Sequence, residues 1–247
     1  MKRRKSSQLI AAVLVNSVYE MKNYPIVLIT TVLSPLSFLV VIAFVSRGTL
    51  IGQGIEGGLI MSMFSAGTAL QGDLSHLKND FKLQDMLVSS PASPQIYALG
   101  MALSEIIYTL PALFILILLT GIYIHPGIVQ TIEITGALFL LFVTSIVIGF
   151  TFSTFSSDIV QSFAFSRLLT ILFTTITPVY YPITYIPLPY AYLAYLSPTT
   201  YAAEIVQNST GLLELPGSLV AADWFVLAAV TVVLFVLTAK KARWKDV

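Results

Sequence analysis

Six stretches of mostly apolar residues, most of them long enough to form a membrane-spanning helix, constrain this chain more than any other feature. A helix needs roughly 20 apolar residues to cross the hydrocarbon core of a bilayer. The second stretch is the shortest. The six cover residues 24–46, 57–71, 96–120, 132–155, 163–181 and 219–239. We therefore predict an all-α integral membrane protein with six transmembrane helices, organised as a single transmembrane domain over residues 1–247.

The composition argues against a water-soluble fold and against several kinds of chemistry. Only 10% of the residues are charged and 56% are hydrophobic, whereas soluble domains carry about 25% charged residues. The chain has no cysteine, so it forms no disulfide and offers no thiolate ligand. No G-x-x-x-x-G-K-[ST] pattern is present, so we expect no nucleotide bound through a Walker A loop. We also expect no metal site, because the only histidines, His76 and His125, lie on opposite sides of the membrane in the topology below.

The basic residues predict the orientation. With the N-terminus in the cytoplasm, all but one of the 13 lysines and arginines fall in cytoplasmic segments, and the exception is Arg47. Positively charged residues favour the cytoplasmic side, so we predict that both termini are cytoplasmic. These residues occupy short flanks beside the spans, so we expect no nucleic-acid partner. The outer loops are instead predicted to be acidic, with Glu56, Glu204, Glu214 and Asp223.

Residues 6–23 are too polar to span the bilayer. Several side chains would share one face of a helix there, namely Ile10, Leu14, Ser17, Val18 and Met21. This periodicity predicts an amphipathic helix that lies in the inner interface of the membrane. A frayed tail is the alternative interpretation.

Two further segments are predicted to lie outside the hydrocarbon core. The cytoplasmic loop over residues 72–95 is the most polar stretch of the chain, and its residues 77–88 fit a short helix that ends before Pro91. The outer segment over residues 182–218 adjoins a stretch, residues 178–201, that holds five of the 12 prolines and seven of the 12 tyrosines. We predict that short helices or a re-entrant hairpin in this segment cap the outer mouth of the bundle.

Two polar residues within the predicted spans are candidates for a translocation path. Glu105 lies near the middle of the third span, where an ionisable side chain is costly and therefore a functional candidate. The alternative is a hydrogen-bonded carboxyl that holds helices together. Thr174, in a threonine-rich part of the fifth span, is the second candidate, although a threonine hydroxyl also bonds its own helix.

Two stripes of small residues predict close helix packing. One lies in the second span and the other in the fourth. They consist of Gly58, Ser62 and Ala66, and of Ser145, Gly149 and Ser153.

Two motifs, together with the predicted topology, resemble the membrane subunit of ABC-2 type transporters. In that family, an acidic residue precedes Gly-Thr-Leu-Glu, two or three apolar residues and Ser/Thr-Pro. Here Lys-Leu-Gln-Asp-Met-Leu-Val-Ser-Ser-Pro over residues 82–91 fits this frame. The family pattern Asn-Pro-Leu-Thr-Tyr with a later Glu-x-x-Arg is matched by Ser-Pro-Thr-Thr-Tyr over residues 197–201 and by Glu-Ile-Val-Gln over residues 204–207. The sequence departs from the family where Lys82-Leu83 replaces Gly-Thr and where Gln207 replaces arginine, which removes a charge partner of Glu204.

The resemblance implies an export permease that is not itself an enzyme and binds no cofactor. It would sit in the cell (plasma) membrane with a second copy or a paralogue, and two ATPase subunits would carry the ATP and Mg²⁺. The implied contact with the ATPase comprises Asp80, Lys82, Asp85, Ser90 and Pro91. The implied external gate comprises Tyr180, Tyr181, Tyr185, Pro198, Tyr201 and Glu204. A stand-alone transporter driven by an ion gradient, with Glu105 as its ion site, is the alternative.

Overall fold

The computed structural model describes residues 2–79, 94–155, 159–175 and 177–241, and these residues contain helices and connecting turns but no strand. The N-terminal segment consists of α1, a π-helical turn at Leu14–Tyr19, and α2. The α-helices, numbered in chain order, are α1 Lys2–Val13, α2 Glu20–Asn23, α3 Pro25–Val45, α4 Ile51–Asn79, α5 Pro94–Tyr123, α6 Ile128–Phe155, α7 Ile159–Thr175, α8 Ala191–Ala194, α9 Pro198–Ser209 and α10 Gly217–Lys241.

Four of the described helices are long and apolar enough to cross a membrane. Their candidate spans are Pro25–Val45, Leu99–Tyr123, Ile128–Ser153 and Gly217–Thr238. They coincide with the first, third, fourth and sixth spans predicted from the sequence. The chain is therefore an all-helical membrane protein.

The remaining two predicted spans have different lengths from those expected. Helix α4, which contains the second and shortest predicted span, has 29 residues and continues to Asn79, inside the predicted cytoplasmic loop. Its glycines and polar residues lower its hydropathy, but most of the helix is enclosed by neighbouring helices. Helix α7 ends at Thr175 rather than at Tyr181. Pro178 follows shortly afterwards and could not have continued a helix without losing a hydrogen bond.

Helix α4 is the centre of the bundle, and it packs against α3, α5, α6, α7 and α9. Its contact with α6 is closest at Gly67, where an added Cβ would lie 1.8 Å from the Ser145 hydroxyl oxygen. From the other side, a Cβ on Gly149 would lie 2.9 Å from the Gly67 carbonyl oxygen. The predicted stripe on α6 therefore does pack closely, whereas Gly58 of α4 faces Leu116 of α5.

Hydrogen bonds between side chains and backbone connect α4 to α7. The Gln71 amide is fully buried, and it donates to the Ser162 carbonyl at 3.2 Å. The Ser162 hydroxyl donates back to the Gln71 carbonyl at 3.1 Å, and the Ser166 hydroxyl donates to Gln71 Oε1 at 3.1 Å. A buried amide is stable when its donors and acceptor are paired in this way. Two threonine pairs, Thr144–Thr231 and Thr151–Thr238, connect α6 to α10 in the same manner.

The N-terminal segment packs on the first part of α5. Ala12 is buried there, and an added Cβ on Gly100 would lie 2.5 Å from its methyl carbon. The apolar side chains of Ile10, Leu14 and Val18 point away from the bundle and are about half exposed. Small residues of the segment lie against the protein, and these apolar side chains are left uncovered. Ser17, which the sequence grouped with them on one face, is buried. The position of the segment in the inner interface of the membrane stays a prediction.

We predict that Gly67→Ala destabilises the bundle by about 1–3 kcal/mol, because the new methyl group overpacks the contact with Ser145. Thermal unfolding of the purified protein, followed by tryptophan fluorescence, should show a lower Tm. Gly121→Ala is the matched control, since a Cβ there has no atom within 4 Å and alanine favours a helix by about 1 kcal/mol over glycine. Equal Tm values for the two variants would contradict the close contact.

Candidate functional site

A cavity of about 340 Å³ lies within the bundle between α3, α4, α5 and α7. Its volume falls in the range of small-molecule sites, which is about 300–1,000 Å³. Hydroxyl groups and apolar side chains alternate along its wall. The lining residues are Val27, Thr31, Ser34, Pro35, Phe38, Met61, Ser62, Ser65, Ala66, Ala69, Glu105, Tyr108, Thr109, Thr170 and Tyr180.

Four of the hydroxyl groups on this wall donate their protons to their own helices. Thr31 donates to the Val27 carbonyl at 2.8 Å and Ser62 to the Gly58 carbonyl at 2.7 Å. Thr109 donates to the carbonyl of Glu105 at 2.8 Å, and Thr170 of α7 donates to that of Ser166 at 2.9 Å. Each hydroxyl has one proton and two lone pairs. The wall therefore presents acceptor oxygens to the cavity at these positions.

Two further residues add to the acceptor character of the wall. Glu105 is only 8% exposed, and it lines the cavity from α5. Pro35 is buried inside α3 and has no N–H. It cannot supply the helical hydrogen bond that the Thr31 carbonyl would otherwise accept.

Aromatic rings line one end of the cavity. Phe38 and Tyr180 stack with their centroids 5.4 Å apart. Tyr180 is 4% exposed, and a Cβ on Gly57 would lie 2.5 Å from its ring. This ring belongs to the segment between α7 and α10, residues 177–216, which we call the cap. The cap therefore contacts both the cavity and the first turns of α4.

The cap is built from short helices, as predicted. A 3₁₀ turn covers Ile183–Tyr185, and α8 and α9 follow. Ser197 caps α9 by accepting from the Thr199 N–H at 3.3 Å, and Pro198 occupies its first position. This is the order of residues that a helix N-terminus favours. Gln207, where the family pattern has arginine, donates to the Pro178 carbonyl at 3.3 Å and so holds α9 against the end of α7.

Two carboxyl groups are buried together where α9 meets α10. Glu204 and Asp223 are 3% and 5% exposed, and their side chains hydrogen-bond to each other. The Tyr195 hydroxyl donates to Glu204 Oε1 at 2.9 Å, while the Tyr201 hydroxyl donates to the Tyr195 carbonyl at 2.7 Å. Burial, and then the nearby Glu204 carboxylate, raise the pKa of the Tyr195 hydroxyl. Tyr195 therefore retains its proton and acts as a donor.

Burial, and then the neighbouring Asp223 carboxylate, raise the pKa of Glu204 to about 7. Two carboxylates so close together cannot both ionise without strong repulsion. They are expected to share a proton, and the departure of that proton near neutral pH would place two negative charges side by side.

The structure corrects the prediction for two of the four acids assigned to outer loops, because Glu56 and Asp223 lie in long helices. Glu56, Glu204 and Asp223 are buried, and only Glu214 is exposed. Glu56 and Asp223 are members of α4 and α10, and neither was recognised as a site residue from the sequence. Glu56 is 1% exposed, and neither of its carboxyl oxygens has a hydrogen-bond partner among the described residues. A count of charged residues does not separate a loop acid from one near the end of an enclosed helix.

The structure describes some of the remaining predicted site residues, and others lie outside the described residues. In the predicted gate, Tyr185 is exposed, Tyr181 and Tyr201 are half-buried, and Pro198 is buried. The side chain of Thr174 lies outside the described residues. So do the residues of the predicted ATPase contact, Asp80, Lys82, Asp85, Ser90 and Pro91.

We predict that Glu204→Gln makes the protein more stable than the wild type, and that this difference in stability grows as the pH rises. The native state holds the Glu204 proton more tightly than the unfolded chain does, since the pKa rises from 4.5 to about 7. Native stability from this group is therefore complete below pH 4.5 and is lost as the pH rises through 7. Glutamine does not titrate. The Tm difference between variant and wild type should widen from pH 5 to pH 7.5.

Glu214→Gln, at an exposed position in the cap, is the control for a general effect of charge removal. A Tm difference for Glu204→Gln that stays constant over this pH range would argue against the raised pKa.

Comparison with known protein families agrees with the helical architecture and the cap motif. No curated protein matches the chain. The family model of the ABC-2 type transporter matches residues 8–210, from the N-terminal segment to the end of α9. It covers the N-terminal segment, the cavity and Glu204 of the buried acid pair. The chain belongs to the ABC-2 type transporter family.

Proposed function

We propose that the chain is the membrane permease subunit of an ATP-driven exporter and that separate ATPase subunits supply its energy. The observation that carries this proposal is the cavity inside the bundle of a chain that the transporter family model covers over residues 8–210. The sequence contains no Walker A loop, so a partner chain must bind the ATP and Mg²⁺. The permease itself would then catalyse no reaction.

The proposed topology has six spans, both termini in the cytoplasm, and the cap outside the plasma membrane. Helix α4 has 29 residues, which corresponds to about 44 Å at 1.5 Å per residue and is enough to cross the bilayer. Helix α7 has 17 residues, or about 26 Å, close to the hydrocarbon thickness. The basic residues support this orientation, because all but Arg47 then lie inside.

In the proposed mechanism, α4 transmits movement from the ATPase to the cap. Helix α4 is continuous from Ile51 to Asn79, and the proposed ATPase contact begins at the next residue, Asp80. At its other end, α4 meets the cap through Gly52, which contacts Leu212, and through Gly57, which contacts Tyr180. A displacement at the ATPase contact would therefore reach the cap without passing through a flexible joint.

A second copy of the chain, or a paralogue, would complete the pathway. Helix α3 forms one wall of the cavity, yet several of its large apolar side chains are exposed in the single chain. Among these are Ile26, Leu33, Val41, Phe44 and Val45. Lipid or a second subunit must cover such a face in the membrane.

The absence of cysteine from the chain allows a direct test of the topology. Glu214→Cys should react with a membrane-impermeant maleimide in intact cells, because the cap is proposed to lie outside. Lys5→Cys should react only after the membrane is permeabilised. Reaction of Lys5→Cys in intact cells would reverse the proposed orientation.

We predict that an ATPase with a Walker A loop co-purifies with the tagged chain from its native host in mild detergent. Asp85→Lys should abolish this association, because Asp85 occupies the glutamate position of the family's loop motif and the substitution reverses its charge. Glu214→Lys makes the same change of charge in the cap and should retain the ATPase. The amount of ATPase per tagged chain is the quantity to measure.

An intact preparation from which the ATPase is absent would contradict the exporter proposal and favour a transporter driven by an ion gradient. Retention of the ATPase by Asp85→Lys would instead contradict only the assignment of the contact.

A further inference from the structure

We propose that the cavity between α3, α4, α5 and α7 binds an amphipathic organic cation, a hydrophobic compound that ends in an ammonium group. This names a substrate class for the permease and rests on the proposed function. Three features of the wall carry the inference: its hydrogen-bonding character, its charge, and the aromatic rings at one end.

At three positions the wall favours ligands that donate hydrogen bonds. Thr31, Ser62 and Thr109 use their protons on carbonyls of their own helices, at 2.7–2.8 Å. Their oxygens can then only accept from a ligand. An ammonium group has three donors and no acceptor, so every hydrogen bond that it forms matches what these residues offer. A carboxylate or phosphate ligand brings only acceptor oxygens. These would face the hydroxyl oxygens of the wall without forming hydrogen bonds to them.

The charge of the wall also favours a cationic ligand. Among the described residues that line the cavity, Glu105 is the only ionisable acid and none is lysine, arginine or histidine. An anionic ligand would therefore lose its hydration without gaining a cationic partner, which is costly inside a bundle. An ammonium group would instead approach Glu105, an acidic residue that is 8% exposed, and charged groups interact more strongly in such surroundings than in water.

The aromatic rings suit the rest of such a ligand. Phe38 and Tyr180 line the cavity and stack at a centroid distance of 5.4 Å. Aromatic faces attract cations and also pack against apolar groups. Apolar side chains, Val27, Met61 and Ala66 among them, complete the wall. The volume of about 340 Å³ accommodates a small fused-ring compound with a short chain.

Binding of three matched fluorescent probes to the purified full-length chain tests the proposal. The probes share a dansyl group and one alkyl chain, and they end in a primary ammonium, an acetamide or a carboxylate. Fluorescence anisotropy is measured in dodecyl maltoside, an uncharged detergent, and micelles without protein provide the blank. We expect the ammonium probe to bind about tenfold more tightly than either of the others, as a hydrogen bond to a charged group would produce.

Variants assign the preference to the cavity. Glu105→Gln should abolish the preference for ammonium, whereas Glu133→Gln should retain it, because Glu133 is exposed on α6 and does not line the cavity. Phe38→Leu, at a side chain that is 44% exposed, is a second variant in case Glu105→Gln fails to fold. It should weaken binding of the ammonium probe about threefold through loss of the cation–π contact and leave the acetamide probe nearly unchanged.

Equal binding of the three probes, tighter binding of the carboxylate, or an unchanged preference in Glu105→Gln would overturn the proposal. Where Glu105→Gln cannot be purified, equal effects of Phe38→Leu on the ammonium and acetamide probes would overturn it. The assay contains no ATPase, so its result is independent of the exporter assignment. Selective binding by a chain with no ATPase partner would refute only the proposed function, and unselective binding by a chain with such a partner would refute only the substrate class.

Discussion

The close approach of α4 and α6 is the contact on which the rest of the bundle depends. In lipid, helices gain little from burying apolar surface against one another, so association relies on close packing and on hydrogen bonds between helices. Gly67 and Gly149 let the two backbones meet, and an added methyl group at either would collide with the partner helix. With α6 on one side, α4 is free to use its remaining surface for α3, α5, α7 and the cap. The same helix is therefore both the centre of the bundle and a wall of the cavity.

Hydropathy predicted the four long apolar helices well, but it gave too short a length for the enclosed helix α4. The first, third, fourth and sixth spans lie within about four residues of the observed helices, because a side chain in contact with lipid must be apolar at nearly every position. Helix α4 is exempt from this requirement, since its neighbours cover it and pair polar groups such as Gln71. Its glycines and polar residues therefore shortened the predicted span. For α7 the predicted span extended too far at its C-terminal end, because apolar residues continue into the cap beyond the end of the helix.

The sequence predicted the candidate site only where a single residue was unusual for its position. Glu105 stood out from the sequence because an acid within an apolar span is costly, and it does line the cavity. The acceptor character of the wall was invisible, because it depends on which carbonyl each hydroxyl contacts. The Glu204–Asp223 pair was missed for a related reason: the two residues are 19 positions apart in sequence, and only the packing of α9 against α10 brings them together.

Some helices line the cavity, whereas others mainly hold the bundle together. Helix α6 contributes no lining residue to the cavity, yet it holds α4 through the glycine contact and α10 through two threonine pairs. Helices α4, α6 and α10 thus form a unit joined by short contacts, whereas α3 contacts this unit mainly through α4. A change in cavity shape in which α3 moves against that unit would break neither the glycine contact nor the threonine hydrogen bonds. Because α3 also carries Phe38 and Pro35, such a movement would alter the aromatic end and the acceptor wall of the cavity together.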